Sequence, residues 1–126
     1  MKVLIDSSVW IDYFRSEDET NELDSLIDNN LIFSNDLILT ELIPFLRFKH
    51  KKTIIETLTE VANLPLSIDW LEIQDFQYSC LNAGVNSVGI SDLIIVQNAL
   101  QNDAFIFTLD KHFGLMRDVL NLKLYI

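Results

Sequence analysis

Apolar residues fall along this 126-residue chain in two textures. Short runs predict strands at Val3–Ile5, 31–33, 66–68, 104–109 and 122–126. Between them, apolar positions recur every three or four residues and predict helices. Val9, Trp10, Tyr13 and Phe14 give the first a core face; Leu23, Leu26 and Ile27 do so for the second, and Ile54, Leu58 and Val61 for the fourth. Ile73, Phe76, Cys80 and Ala83 share a further helical face, with Asp69 at its start and Gly84 as its stop. Ser16-Glu17-Asp18-Glu19 and Thr53-Ile54-Ile55-Glu56 both fit the capping box, a hydroxyl cap with an acid three residues on. The run AFIFTL hardly alternates, as expected of a strand covered on both faces. Strands alternating with helices predict an α/β three-layer sandwich with a mainly parallel five-stranded sheet. No linker, repeat or low-complexity segment divides residues 1–126, so one domain is expected.

Composition supports a globular protein: 49% of residues are hydrophobic, against three glycines and two prolines. Cys80 is the single cysteine and lies in an apolar helical stretch, which predicts a small core residue. With no signal peptide and no apolar run long enough to cross a bilayer, a soluble, cytoplasmic protein without membrane contact is expected. The net charge of −10 argues against a polyanionic partner. Its distribution reopens the question, because residues 47–52 (RFKHKK) hold four of the nine basic side chains, Arg47, Lys49, Lys51 and Lys52. Such a stripe suits a phosphate backbone through salt-sensitive contacts, or is simply a solvated helix end.

In an open parallel sheet, ligands bind beyond the C-terminal strand ends. Asp6 follows the first strand, Asp110 follows AFIFTL, and Asp92 in GISDLII stands at a helix start. Glu41 lies about one and a half turns into a helix starting near Asp36, and helical side chains lean towards the N-terminus. Each acid has an ordinary reading as a cap, a dipole partner or a solvated side chain, with Ser91 able to take over the capping at Asp92. Four converging carboxylates, however, repel one another unless a cation sits between them. All-oxygen ligation selects Mg²⁺ or Mn²⁺, ions that activate water and stabilise a leaving oxygen in phosphodiester hydrolysis. Ser7 and Ser8 can supply the capping at VLIDSSVWIDYF, which frees Asp6 for the site.

The stretches VLIDSSVWIDYF, LTELI, GISDLIIVQNA and FTLDKHF, in this order and over almost the whole chain, resemble the PIN-domain ribonucleases, most of all the VapC toxins of toxin–antitoxin pairs. The resemblance implies a single PIN-like domain over residues 1–126, with Asp6, Glu41, Asp92 and Asp110 as the catalytic, metal-binding acids. Thr108 matches a hydroxyl position that supports that site, and Ser7 is a weaker supporting candidate. It further implies a Mg²⁺- or Mn²⁺-dependent endoribonuclease that forms a homodimer, acts on RNA and is silenced by an antitoxin. Arg15, Arg47, Lys49, Lys51 and Lys52 are candidate RNA contacts, and Lys111 adjoins Asp110. Pro44 departs from the pattern. It removes the hydrogen bond to the Thr40 carbonyl and should kink or interrupt the helix beside Glu41.

His50 reads as part of the basic stripe, His112 as helix surface and Trp10 as core. Two other functions compete. A non-catalytic PIN-like RNA- or protein-binding module would keep the fold without turnover, against which the intact acids argue. A receiver-like phosphoacceptor would need a paired acidic start, a central Asp after a strand and a Lys after a late strand. Here one Asp follows the first strand, and Asp69-Trp70 after the third reads as a helix start.

Overall fold

The computed structural model describes residues 1–15 and 22–125. The Ser16 capping box therefore lies outside the described residues. Five strands form one parallel sheet: β1 (Val3–Ile5), β2 (Ile32–Ser34), β3 (Ala62–Asn63), β4 (Phe105–Phe107) and β5 (Lys123–Leu124). Their order is β3-β2-β1-β4-β5, with Leu4 opposite Phe33 on one side and Ile106 on the other. The helices are α1 (Ser7–Arg15), α2 (Glu22–Asp28), α3 (Asp36–Phe48), α4 (Lys52–Thr59), α5 (Trp70–Asn82), α6 (Ile90–Gln101) and α7 (Lys111–Leu120). From β1 the chain steps outward through β2 to β3, then returns across the sheet to β4 and β5. Right-handed crossovers in opposite directions place helices on opposite faces. In agreement, α1, α3 and α4 pack together, as do α5, α6 and α7.

Two elements are buried on every side. Val3, Leu4 and Ile5 of β1 are all 0% exposed, each worth about 1.5–3 kcal/mol of apolar burial as an upper estimate. Seven consecutive residues of α6, Leu93 through Ala99, are also buried, so this helix carries no solvated stripe. Its two buried amides are satisfied. Gln97 Nε2 donates to the Asp69 carbonyl (3.1 Å) and to Glu72 (2.8 Å), while its Oε1 accepts from Asp69 N–H. Asn98 accepts from Asn35 Nδ2 at 2.9 Å and donates to the carbonyls of Leu64 and Pro65. Since Asn35 Oδ1 caps α3 by accepting from Ile38 N–H (2.8 Å), this pair ties the start of α3 to the middle of α6. Cys80 is buried, and burial pushes its thiol pKa up, as suits an unreactive core residue.

Several sequence expectations change. The third strand is β3 at Ala62–Asn63, not residues 66–68. Pro65 cannot donate to a ladder, and the carbonyls of Leu64, Pro65 and Ser67 serve Asn98 and Gln101 of α6 instead. Thr53 does not cap α4. That helix begins at Lys52 after a short turn in which Lys51 N–H closes back on the Leu46 carbonyl, and no side chain caps it. Pro44 does not interrupt α3, which runs unbroken to Phe48. Both Pro44 and Thr40 are exposed, so water can take the bond that proline removes. Asp69 caps α5 as expected, accepting from Glu72 N–H, and Gly84 ends that helix with φ +76°.

Candidate active site

Asp6 leaves the central strand at the edge where β1 and β4 part towards opposite halves of the sheet. Its backbone carbonyl accepts from Val9 and Trp10 N–H, so the peptide itself begins α1. The side chain, only 5% exposed, does not cap the helix. Its Oδ2 accepts instead from two hydroxyls at 2.8 Å each, Ser8 Oγ and Thr108 Oγ1. The serines are thus not the caps they were expected to be: Ser8 sits within the first turn of α1, and its hydroxyl serves Asp6. The hydroxyl that supports Asp6 belongs to Ser8, not to the Ser7 that the resemblance implies.

The loop after β4 completes this corner. Thr108 Oγ1 accepts from Asp110 N–H at 2.9 Å, and Ser8 Oγ accepts from Leu109 N–H at 3.0 Å. Asp110 caps α7, its Oδ1 accepting from His112 N–H at 2.9 Å. The same oxygen lies 2.9 Å from His112 Nδ1. His112 is therefore not ordinary helix surface: it is half-buried against an acid of the candidate site. An Asp at an N-cap followed two residues later by His was the available sequence signal.

Asp92 occupies the third position of α6, with Gly89, not Ser91, as the N-cap, and accepts Gly89 N–H at 3.3 Å. Its pKa is raised, first by burial and then by the charges of Asp110 and Asp6, against the lowering influence of the Gly89 bond and His112. Glu41 reaches the same field from α3. Burial raises its pKa first, and Asp6 and Asp92 add to the rise. Glu41 keeps contact with solvent, yet its carboxylate stands in a concave wall that withholds part of its hydration. No hydrogen bond to its carboxylate forms among the described residues. The four acids are electrostatic neighbours, although among the described residues no three His, Cys, Asp or Glu groups already stand in ligating positions.

Next to Glu41 a cavity of about 420 Å³ opens between α1, α3 and α4. Ile11, Phe14, Phe45 and Ile54 supply apolar wall, and Arg15, Lys49 and Lys51 supply positive charge. Phe45 and Phe48 are 61% and 76% exposed, so part of the apolar content of α3 faces outward and not into the core. Arg47 and Lys52 are exposed but do not line this cavity.

Residues 3–118 match the PIN domain. The chain belongs to the PIN-domain family. Solved structures agree on the fold of this PIN domain. One is VapBC2 from Rickettsia felis bound to a DNA fragment from its promoter, 17% identical with a TM-score of 0.80, covering 99% of this chain and 98% of the other. Another is VapBC-1 from nontypeable Haemophilus influenzae, 20% identical with a TM-score of 0.73, covering 99% and 97%. A third is FitAcB from Neisseria gonorrhoeae, 18% identical with a TM-score of 0.71, covering 98% and 96%. No curated protein matches the chain. Among the described residues, no helix of this PIN domain is long and apolar enough to cross a membrane.

Proposed function

We propose that this PIN domain is a Mg²⁺- or Mn²⁺-dependent endoribonuclease, the toxin of a toxin–antitoxin pair. The observation that carries the reading is the convergence of four acids at the C-terminal edge of the sheet, where Glu41 feels the charges of Asp6 and Asp92, and Asp92 those of Asp110 and Asp6. Like charges brought this close gain from a cation between them, and an all-oxygen donor set fits a hard one. Asp6, Asp92, Asp110 and Glu41 would hold it. When bound, such an ion supplies an activated water and charge stabilisation on the leaving oxygen.

The chain's own residues prepare that chemistry. Thr108 fixes Asp6 and receives the backbone of Asp110, so two acids from separate strands are held by one hydroxyl. Arg15 from α1, with Lys49 and Lys51 of the basic segment 47–52, offers phosphate contacts beside Glu41, and Arg47 and Lys52 extend the stripe. That several structural neighbours are VapBC complexes favours a cognate antitoxin as partner. A homodimer and a cytoplasmic location complete the reading. The test is cleavage of a pooled tRNA and rRNA substrate with Mg²⁺ or Mn²⁺, with Asp6→Asn as control. Metal-dependent cleavage that the variant loses is expected. RNA binding without turnover in either metal would favour a non-catalytic RNA-binding module instead.

A further inference from the structure

The hydroxyls of Ser8 and Thr108 each have an assigned donor and an assigned acceptor partner. Each accepts a backbone N–H, from Leu109 and Asp110 respectively. Each has one proton, and each lies 2.8 Å from Asp6 Oδ2. The 3.4 Å contact between the two hydroxyl oxygens is then left without a proton, since both are used on Asp6. Oδ2 consequently receives two donors that lie side by side but come from separate elements, one from α1 and one from the loop after β4. With Asp6 almost fully buried, its carboxylate has one orientation that keeps both bonds.

We infer that Ser8 is a positioning residue for the metal site, clamping Asp6 through Oδ2 together with Thr108 so that Oδ1 is the oxygen available to a cation. The inference rests on the proposed metal-dependent function and adds to it a residue two positions beyond the aspartate. Ser8 also joins α1 to the residue before Asp110, so a single side chain sets the spacing between the two strand-end acids. Orienting partners of metal ligands typically change affinity or activity by about 10–100-fold when removed.

The experiment compares Ser8→Thr, which keeps the hydroxyl, with Ser8→Val, which has nearly the same shape and lacks it. Mn²⁺ binding is read by calorimetry, thermal unfolding is recorded without metal, and Asp6→Asn serves as reference. The clamp predicts that Ser8→Thr binds Mn²⁺ within a few-fold of wild type, while Ser8→Val binds about 10–100-fold more weakly. If Ser8→Val and Ser8→Thr bind alike, or both lose affinity to the same degree, the hydroxyl is not what positions Asp6 and the inference fails. Should Ser8→Val fail to fold, near-native Mn²⁺ affinity in Ser8→Ala would overturn it, and a loss of 10-fold or more would support it. Unchanged Mn²⁺ binding in Asp6→Asn would instead overturn the metal-site reading on which the clamp depends.

Discussion

The two sides of the candidate site are built differently. On the strand side, Asp6 and Asp110 are enclosed by hydrogen bonds from Ser8, Thr108, His112 and the backbone after β4. On the helix side, Glu41 projects from α3 with no bond to its carboxylate among the described residues, and exposed aromatics lie along the same helix. Asp92 stands between the two, held by one backbone N–H and coupled to both. The strand side is fixed before any ligand arrives. Glu41 is aimed only by its helix, so its final position is free to answer whatever charge enters. Preorganisation and adaptability are thus divided between two elements of one site.

Removing charge from the fixed side should have the largest effect. Asp6→Asn is expected to reduce metal-dependent RNA cleavage by more than ~100-fold, beyond what loss of an orienting partner causes. Next comes the orienting shell itself: Thr108→Val should lower cleavage by about 10–100-fold, because both Asp6 and Asp110 lose a bond. A Thr108→Val enzyme as active as wild type would show that the strand side does not need its enclosure.

How far this division was legible in the sequence follows from what each residue depends on. The acids after β1 and β4 could be placed because a strand end fixes the position of the next residue. Glu41 could be placed because it lies about one and a half turns into a helix starting near Asp36, and helical side chains lean towards the N-terminus. The identity of the supporting serine was not legible. Ser7 and Ser8 are equivalent in sequence, and only the approach of Leu109 and Thr108 from a hundred residues away selects Ser8. Likewise, the apolar residues of α3 do not reveal which face meets the core. The proline at 44 looked disruptive because sequence does not show that its missing bond lies on the solvent side. Residues 66–68 looked like a strand because an apolar run covering α6 and one inside a sheet share the same composition.

A moderate effect on stability should sharpen the contrast further. Glu41 and Asp92 have pKa values raised above those of the unfolded chain. Between the unfolded and folded values the native state binds more protons, so these two acids make the metal-free protein less stable as pH rises through the carboxylate range. Thermal unfolding without metal should show this fall, Glu41→Gln should flatten it, and added Mn²⁺ should recover stability at pH 7 but not in acid. The exposed Asp103–Lys123 pair acts in the opposite sense, since its carboxyl is held low and its contribution is lost as pH falls; solvent screening keeps it small. An identical pH slope in wild type and Glu41→Gln would place Glu41 outside the coupled group.

The smallest expected effects belong to the exposed side of α3 and its end. Phe48→Ser should change stability by no more than about 0.5 kcal/mol in chemical denaturation, since the ring is mostly exposed. Lys51→Ala should weaken RNA binding and reduce the slope of log affinity against log salt by about 0.7, the contribution of one single-strand phosphate contact. A slope unaffected by Lys51→Ala would make that lysine an ordinary surface charge.

The central claim is that the fixed and adaptable sides meet on one divalent cation. Calorimetric titration of Mn²⁺ at pH 7 into wild type, Asp6→Asn and Glu41→Gln tests it most directly. The account predicts saturable binding to wild type that both variants weaken at least tenfold, about the lower bound for disturbing a metal's partners. Wild-type affinity in Glu41→Gln, or no Mn²⁺ binding to the wild-type protein at all, would contradict it.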